Sequence, residues 1–428
     1  MRAAPATALA LNDPANYAAG PPLALLSRLR REDGVVWVPE VDGSGYWLVL
    51  RHADVEQVLK QPRLFSSALG GTQVRDPATN EDLRYVRRMM LNMDPPEHAR
   101  LRRLVAKSFT PRAVATLTAR IEEHARSIVE QMLAGPAVCD FAKDVAADLP
   151  LLTLAEVLGV PASDRWLLFD WSNRVIGWLD PDYASSAAFD GGDGTDMARE
   201  ALALRPSGEQ LPDPRTRAGM PDLYRYAHLL AEYKRSDPGA DIMSILLSQP
   251  DETISDEEFE NLFWLFAVAG NETLRNGIPG GMIALLEHPE QQRLLRESPE
   301  LLEPAVEEML RWWTPVMVFR RTASEAVELS GARIAAGDKV VVSFLAANRD
   351  ETVFDDPDRF DIRREPGRHL VFGHGPHFCL GALVARTQMR ALLRELLERT
   401  TWFESAGEPA LLQSTFQRGV KRLPLSWS

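Results

Sequence analysis

The most informative stretch of the sequence is FGHGPHFCLG, residues 372–381. It holds Cys379, one of only two cysteines in the chain, and two of the eight histidines. Gly373 and Gly375 permit tight turns and a close approach of the backbone to a ligand. Because Cys379 directly precedes a helical pattern, LGALVARTQMRALLREL, we expect the free N–H groups of the helix start to lower the pKa of its thiol. The pattern therefore favours a thiolate that binds a metal.

The loop alone does not identify the metal. It is also compatible with a buried thiol that binds no ligand. Zinc is a candidate because His374, His377 and Cys379 are close together. However, no second cluster with zinc-like spacing completes a tetrahedral set. A single thiolate suits a metal that brings four ligands of its own, which is haem iron.

Composition sets the broad class of the protein. The 428 residues carry 48 Lys and Arg against 61 Asp and Glu, a formal net charge of −13. This balance argues against a nucleic-acid partner, which needs clustered basic residues. Two cysteines fit a reducing cytosol, and no run of about 20 apolar residues predicts a membrane span. We therefore expect a cytoplasmic protein, with Cys139 as a small buried core residue.

Helical periodicity covers most of the chain, with strand patterns in residues 35–50 and 327–346 only. We predict one mainly α domain over residues 1–428, with about a dozen helices, a small β-rich region and an N-terminal tail at 1–17. Residues 180–220, rich in Gly, Pro, Ser and Asp, are expected to form a lid-like loop or a tolerated surface insertion. The predicted helices cover residues 53–60, 97–108, 112–133, 164–178, 221–235, 256–287, 299–312 and 380–398.

The longest predicted helix, residues 256–287, has an unusual centre. It begins with a capping box of Ser255 and Glu258, and its apolar middle contains AGNET, residues 269–273. One interpretation is a helix crossing at Gly270, with Glu272 turned to the surface. The other is a local opening where Gly270 admits a flat ligand, and Glu272 and Thr273 supply an acid and a hydroxyl. Pro279, later in the helix, is expected to kink it.

Residues 372–381 resemble the haem-binding loop of the cytochrome P-450 superfamily, Phe-Gly-x-Gly-x-His-x-Cys-x-Gly. The resemblance extends over about residues 18–420 and implies the cytochrome P-450 fold. It also implies haem b with the Cys379 thiolate as axial ligand to iron. The fixed positions of the loop pattern are filled by Phe372, Gly373, Gly375, His377, Cys379 and Gly381.

Further landmarks follow in the order of that family. AGNET is similar to its oxygen-activating motif, which implies Glu272 and Thr273 as catalytic residues with Ala269 and Gly270 beside the haem. Leu274 departs from the Thr that members often have there. EMLR, residues 308–311, resembles the family's Glu-x-x-Arg. This implies a buried ion triad of Glu308, Arg311 and Arg359.

The resemblance also implies contacts to the haem and the substrate. Four cations would bind the haem propionates through charge-assisted hydrogen bonds: His98, Arg102, Arg321 and His377. Substrate-facing positions carried over from the family are mostly apolar, and the loop at 66–93 would line the mouth of the pocket. These positions are Phe266, Ala269, Val316, Met317, Val318, Thr415 and Phe416.

The implied activity is a monooxygenase that inserts one atom of O₂ into a hydrophobic small molecule. Electrons would come from a ferredoxin and its reductase, and Arg100 and Arg103 would dock an acidic ferredoxin or be plain solvated charges. The most similar members act on sterols and terpenoids, and natural-product enzymes for polyketides or peptides share the pattern. The alternatives are a peroxide-dependent peroxygenase and a non-catalytic haem sensor or carrier. The protein is expected to be a monomer.

Overall fold

The computed structural model describes residues 10–77, 79–176, 194–208, 211–214, 216–249, 253–365 and 367–428. Helices dominate these ranges. The first eight α-helices are α1 (Leu23–Glu32), α2 (His52–Lys60), α3 (Asn80–Val86), α4 (Glu97–Ser108), α5 (Pro111–Ala134), α6 (Phe141–Asp144), α7 (Asp148–Leu158) and α8 (Arg165–Ile176). The others are α9 (Asp196–Leu202), α10 (Pro221–Ser236), α11 (Ile242–Leu247), α12 (Asp256–Glu287), α13 (Pro289–Glu297), α14 (Leu302–Trp313), α15 (Phe344–Ala347) and α16 (Ala382–Arg399). The mainly α prediction is confirmed.

The twelve strands within the described ranges form four small sheets. They are β1 (Val35–Val38), β2 (Tyr46–Val49), β3 (Phe65–Ser66), β4 (Val138–Asp140), β5 (Val318–Ala323), β6 (Val327–Leu329), β7 (Ala332–Ile334), β8 (Lys339–Ser343), β9 (Phe403–Ser405), β10 (Ala410–Leu411), β11 (Val420–Arg422) and β12 (Pro424–Trp427). The largest sheet has the order β1-β2-β8-β5-β3, in which β2 and β8 are parallel and the other pairs are antiparallel. A three-stranded sheet has the order β4-β12-β9, and β6-β7 and β10-β11 form two hairpin-like pairs.

Helix α12 runs through the middle of the molecule and joins two hydrophobic cores. Its first half contributes Phe259 and Phe263 to a core shared with α4, α7, α8 and α10. Its second half contributes Leu274 and Ile278 to another core shared with α5, α14 and α16. The AGNET residues lie between these two cores, and Ala269 and Gly270 are exposed. The apolar positions thus bury both halves of the helix and leave Ala269 and Gly270 accessible between them.

Pro279 does not interrupt α12, which continues as a helix to Glu287. The two glycines that follow Pro279 are required by close packing against α14. A Cβ on Gly280 would lie 2.1 Å from Cδ2 of Trp313, and one on Gly281 would lie 3.0 Å from Sδ of Met309. Since any side chain here would collide with α14, these glycines allow α12 and α14 to pack closely.

Part of the segment at 180–220 can be described. Helix α9 lies in it, held by the Asp164 carboxylate, which accepts hydrogen bonds from the backbone N–H of Thr195 (2.8 Å) and from its hydroxyl (2.6 Å). The lid-like role predicted for this segment falls in part on residues 177–193, outside the described residues. Within the described ranges, every helix is too short or too polar to be a candidate membrane span.

Candidate active site

Residues 372–381, called the cysteine loop below, form a tight turn that packs on the C-terminal end of α2. Gly373 and Gly375 have φ values of 70° and 68°, in the left-handed region that favours glycine. A Cβ on Gly375 would also lie 2.5 Å from the carbonyl oxygen of Leu59. Glycine is thus required at 375 by its conformation and by the neighbouring backbone of α2. The backbone N–H of Cys379 closes the turn with a 2.8 Å hydrogen bond to the Phe372 carbonyl.

The environment of the Cys379 thiol differs from the sequence prediction. Although Cys379 is exposed, desolvation by the protein atoms around its sulfur raises the pKa of this thiol above its ordinary value, while the Gly381 N–H, Arg102 and Arg386 each act to lower it. The predicted fall in the pKa is therefore wrong for the chain alone. The two arginines are nevertheless positioned to favour a thiolate, the form that binds a metal. The other cysteine, Cys139, is half-buried in β4, where it packs against the core, and burial raises its pKa to about 12.

The structure brings together the four cations that the sequence assigned to the propionates. The rings of His98 on α4 and His377 in the cysteine loop lie 4.0 Å apart between centroids. Burial, followed by the neighbouring charge of Arg102, lowers the pKa of His98 to about 4. Burial, followed by the charges of Arg321, His98 and Arg102, lowers the pKa of His377 to about 2. These side chains form a basic cluster, and an anion bound beside it would favour the protonated form of both imidazoles and so raise their pKa values.

Two residues beside this basic cluster were missed from the sequence. Asp94 accepts hydrogen bonds from the Ser66 hydroxyl (2.5 Å) and the Ser67 backbone N–H (2.8 Å), and its charge opposes the shifts at His98 and Arg321. The Ser67 hydroxyl lies 3.3 Å from Nε2 of His377. Asp94 begins the sequence DPPEHAR, residues 94–100, just before the helix predicted at 97–108, so its position was a usable signal. Ser67 carried none.

Arg102 connects the basic cluster to the cysteine loop. Its Nη2 donates a 2.5 Å hydrogen bond to the carbonyl of Phe378, the residue before Cys379. Arg100, on the same helix, is ion-paired with Glu258 at the start of α12, while Arg103 is exposed. The Arg100 side chain is 35% exposed in this ion pair, so docking of a redox partner at Arg100 and Arg103 stays a prediction.

Glu272 is buried and forms an ion pair with Arg275. Neither interpretation of AGNET, residues 269–273, predicted this ion pair. Its carboxylate accepts a 3.0 Å hydrogen bond from Nη1 of Arg275, and its side chain is 0% exposed. The interpretation that Glu272 turns to the surface is therefore wrong. The crossing at Gly270 is present, since a Cβ there would lie 2.9 Å from Cδ1 of Leu154 on α7. The local opening of the helix is absent in the described chain, because α12 is continuous through Gly270.

Thr273 is half-buried, and its hydroxyl donates a 3.1 Å hydrogen bond to the carbonyl of Ala269, one turn earlier. A hydroxyl bonded in this way still has its oxygen lone pairs and can rotate to donate elsewhere. Consecutive helix positions point about 100° apart, so Thr273 faces a different direction from Glu272. The pair therefore offers a buried acid and an accessible alcohol on adjacent residues.

The ion triad forms with a different third member. Glu308 accepts hydrogen bonds from Arg311 at 2.7 and 2.8 Å, and all three side chains of the observed triad are buried or nearly so. The third cation is Arg364, whose Nε lies 3.1 Å from Oε2 of Glu308. The assignment of Arg359 is wrong, because its side chain is 57% exposed and its nearest acid is Asp361 at 3.9 Å. Arg359 contributes only its carbonyl oxygen, which accepts from Arg311 and Arg364.

A second buried acid beside the triad was not predicted. Glu307 accepts two hydrogen bonds from Arg386 on α16, at 2.6 and 2.8 Å, and one from His369 at 3.0 Å. Burial alone would raise the pKa of Glu307, but these bonds outweigh it and lower the pKa to about 2. The guanidinium of Arg386 also lies 4.3 Å above the ring of Phe372. This network fixes both ends of the cysteine loop to α14.

The predicted substrate positions fall into two groups. Val316 pairs with Gln417, and the N–H of Met317 donates a 2.9 Å bond to the Phe416 carbonyl, so these two segments are brought together. Met317 and Val318, with Thr415, line a cavity of about 400 Å³ whose other walls include Leu11 and Tyr17. Phe266 on α12 packs against the core of α4, α7, α8 and α10. Phe266 is not among the residues that line the cavity.

The residues around the cysteine loop fit a haem. They supply one cysteine sulfur on a glycine turn, two arginines and two imidazoles that can donate hydrogen bonds, which suits a ligand with an iron centre and two carboxylates. Zinc is not supported, since no three His, Cys, Asp or Glu side chains within the described ranges come together in a way that could hold a metal ion. His374, one of the candidate zinc ligands, instead lies 3.8 Å from Glu56.

Comparison with known proteins agrees with this site. Residues 231–425 match the family model described as Cytochrome P450. The chain is 36% identical to the steroid C26-monooxygenase of Mycolicibacterium smegmatis, over 95% of this chain and 91% of that protein. It is 35% identical to the linalool 8-monooxygenase of Pseudomonas putida, over 96% and 97% of the two chains. It superposes on Mycobacterium marinum cytochrome P450 CYP268A2, solved with pseudoionone, with a TM-score of 0.81 at 33% identity and 94% coverage of both.

The chain belongs to the cytochrome P450 family, and its fold is that of the family. Its class of activity is that of a monooxygenase, an oxidoreductase that incorporates oxygen from O₂ into a hydrophobic small molecule. Family membership implies a haem held through a cysteine thiolate and electrons from redox partners.

Proposed function

We propose that this P450 binds haem b through the Cys379 thiolate and oxidises steroid-like or terpenoid-like lipids. The observation that carries the cofactor assignment is the convergence of the cysteine loop with His98, Arg102 and Arg321. The Cys379 thiolate would donate electron density to the haem iron, which favours cleavage of an O–O bond. His98, Arg102, Arg321 and His377 would hold its propionates, with Ala269, Gly270, Phe372 and Gly381 beside the ring.

In the proposed reaction one oxygen atom enters a C–H bond of the substrate and the other leaves as water. Two electrons and two protons are consumed, so the chain must deliver protons to a site from which bulk water is largely excluded. Glu272 and Thr273 are placed for this task as a buried acid and an accessible hydroxyl on adjacent residues. This acid–alcohol pair favours the monooxygenase over the peroxygenase and the haem sensor, neither of which needs it.

Two observations support a lipid-like substrate. The relatives named above are a steroid and a linalool monooxygenase, and the structural neighbour was solved with pseudoionone. The cavity of about 400 Å³ lies within the usual range for small-molecule pockets, and Leu11, Leu26, Leu48, Met317 and Leu345 give it a mainly apolar wall. The polar side chains of Asp13, Glu40, Asp42 and Arg75 also line this cavity.

A ferredoxin is the proposed electron donor. Arg103 lies exposed on α4, the helix that carries His98 and Arg102, so a partner bound there would approach the propionate side of the site. Charge complementarity with an acidic protein would speed association more than it would tighten binding. Exchange of Arg103 for Glu would therefore lower the rate of electron transfer at low salt and have less effect at high salt.

The test of this function is a spectral titration followed by product identification. The purified ferric protein is titrated with a sterol side-chain ketone, linalool, a macrolide and a cyclic dipeptide, and spin-state shifts are recorded. We expect micromolar shifts with the steroid or the terpenoid and an oxygenated product whose new oxygen derives from ¹⁸O₂. Shifts confined to the macrolide or the dipeptide would overturn the substrate class, and products labelled from H₂¹⁸O₂ but not from ¹⁸O₂ would overturn the monooxygenase.

A further inference from the structure

Two ion pairs join α14 to α16, and they lie one helical turn apart on each helix. Arg386 binds Glu307 at 2.6 Å, and Arg390 binds Glu303 at 2.5 Å. Because residues four apart share one face of a helix, the two pairs lie side by side. The Glu303 side chain is 73% exposed, whereas that of Glu307 is 11% exposed. The outer pair is therefore a surface contact of small energetic value, and only the inner pair is shielded from water.

The inner pair fixes both the position and the plane of the Arg386 guanidinium. Its Nε donates to Oε1 of Glu307 at 2.6 Å, and its Nη2 donates to Oε2 at 2.8 Å. A two-point contact of this kind sets the orientation of the planar group as well as its distance. Nε2 of His369, a buried side chain, lies 3.0 Å from Oε2 of the same carboxylate. The acid is therefore held in place, and it holds Arg386 in turn.

Arg386 also contacts the cysteine loop. Its guanidinium carbon lies 4.3 Å from the centroid of the Phe372 ring, within the range of a cation–π contact. The carbonyl of Phe372 accepts the 2.8 Å hydrogen bond from the Cys379 N–H that closes the turn. Arg386 is also close enough to Cys379 for the two side chains to interact electrostatically. A fixed positive charge thus lies beside the residue that closes the loop and near the sulfur.

The outer pair differs from the inner pair in this respect. Within the part of the chain that the structure describes, Arg390 donates hydrogen bonds to Glu303 and to the hydroxyl of Thr387, and neither belongs to the cysteine loop. Its side chain is 29% exposed, the same fraction as that of Arg386. Both arginines therefore join α14 to α16, while Arg386 alone of the two places its charge at the loop.

We propose that Arg386 raises the reduction potential of the haem centre, and that Glu307 and His369 position it for this task. The inference rests on the proposed function, in which the Cys379 thiolate binds haem iron. Uptake of one electron adds negative charge at that centre, so a fixed cation near the sulfur favours the reduced state. Groups outside the direct ligands of a metal commonly adjust its potential in this way. Glu307 and His369 are positioning residues, since they act through Arg386.

The midpoint potential of the substrate-free holoprotein tests this inference without turnover. It is measured by anaerobic titration with dithionite. Arg386→Gln removes the charge and the ring contact, so we expect the equilibrium constant for reduction to fall about tenfold, which is about 59 mV for a one-electron couple. Arg386→Lys keeps the charge but not the two-point contact, so its constant should fall by a smaller factor. The matched control is Arg390→Gln, which removes an arginine of equal exposure from the same face of α16 and should keep the wild-type potential.

Glu307→Gln distinguishes an electrostatic role from a purely structural one. This variant keeps the cation and a hydrogen-bond acceptor for it, and it removes the negative charge of the acid. We therefore expect a potential at or above that of the wild type, opposite to the fall in Arg386→Gln. If the pair served only to hold the loop, both variants would loosen it and shift the potential in the same direction. A fall in Glu307→Gln that matches the fall in Arg386→Gln would overturn the inference.

A vibrational spectrum gives a second readout of the same effect. Loss of the cation should strengthen donation from the sulfur, so the Fe–S stretch in the resonance Raman spectrum of the ferric protein should move to higher frequency in Arg386→Gln and stay in place in Arg390→Gln. If Arg386→Gln fails to bind haem, Arg386→Lys and Glu307→Gln are compared in its stead. Wild-type potentials in the Arg386 variants, or an equal fall in Arg390→Gln, would overturn the inference.

Failure of the proposed function and failure of the inference give different results. A wild-type ferrous–CO complex without the red-shifted Soret band of thiolate ligation would overturn the assignment of Cys379 and the inference with it. That band together with unchanged potentials in the Arg386 variants would overturn the inference alone. The band in the wild type, a lowered potential in Arg386→Gln and a wild-type potential in Arg390→Gln would support both.

Discussion

The imidazole rings of His98 and His377 lie 4.0 Å apart between their centroids, one at the start of α4 and the other beside the cysteine. Their pKa values, about 4 and about 2, are held down first by burial and then by like charge from Arg102 and Arg321. A protein that only needed to fold would gain nothing from gathering these groups. Their arrangement is accounted for by an anionic ligand, which the propionates of a haem would supply.

The first prediction concerns the haem-free protein at acid pH. The pKa of His98 is about 4 in the folded chain and near 6.5 in the unfolded chain. The unfolded chain therefore binds an extra proton between these two values, so the free energy of unfolding is highest above pH 6.5 and falls as the pH drops toward 4. We expect a loss of about 1 to 2 kcal/mol from His98 between pH 7 and 5, measured by urea unfolding.

The control for this pH dependence is His98→Gln, which cannot take up that proton. Its unfolding free energy should fall less over the same interval, with the difference equal to the contribution of His98. An identical slope in the wild type and the variant would contradict the assignment.

The second prediction separates the true triad member from the expected one. Glu308→Ala leaves Arg311 buried and without its carboxylate, so we expect destabilisation by about 3 to 5 kcal/mol. Arg364→Ala should be clearly destabilising, whereas Arg359→Ala should change the unfolding free energy by less than about 0.5 kcal/mol, as exposed residues usually do. Chemical unfolding of the three variants checks this, and a larger loss in Arg359→Ala than in Arg364→Ala would refute it.

The third prediction uses two glycines of the cysteine loop that share a conformation. Gly373→Ala and Gly375→Ala both place a side chain at positive φ, which costs about 1 to 3 kcal/mol. Only at Gly375 would the new Cβ also meet a backbone atom, the Leu59 oxygen at 2.5 Å. Gly375→Ala should therefore lower the thermal unfolding midpoint further than Gly373→Ala does. Equal shifts would mean that α2 moves aside without cost.

The fourth prediction concerns the hydroxyl of Thr273. In Thr273→Ala we expect electron consumption to continue while product falls by about tenfold or more and peroxide rises, since general acid–base groups typically contribute 10²–10⁴-fold. Thr273→Ser keeps a hydroxyl and should retain most of the coupling. The measurement compares product, peroxide and reduced cofactor consumed in one assay. Unchanged coupling in the alanine variant would exclude the hydroxyl from proton delivery.

Strong local signals made parts of the fold predictable. Helices α4 and α12 were predicted at their observed limits, because a capping box and flanking prolines define their ends. Helices α7 and α13 were missed. The sequence of α7, DLPLLTLAEVL, is apolar at most positions and therefore shows no clear period. The strand pattern predicted at residues 35–50 is confirmed by the antiparallel pair of β1 and β2, and the Asp-Gly-Ser-Gly sequence at 42–45 between them is a hairpin turn signal.

The site was predictable where a motif specifies both residue and spacing, as for the cysteine loop and the residues of the basic cluster. The site was not predictable where packing determines which of several similar residues contacts a given partner. Arg359 and Arg364 lie in the same loop, and only its path decides which one reaches Glu308. The partner of Glu272 likewise depended on which face of α12 is buried against α8, which periodicity in an apolar helix does not reveal.

The central claim is that Cys379 binds haem iron as a thiolate, and the ferrous–CO spectrum tests it most directly. The wild type should show the red-shifted Soret band of a thiolate-bound complex, because thiolate donation alters the electronic states of the haem. Cys139→Ser, which changes the other cysteine, should keep this band, and Cys379→Ser should lose it. A Cys379→Ser protein that retained the red-shifted band would contradict the account.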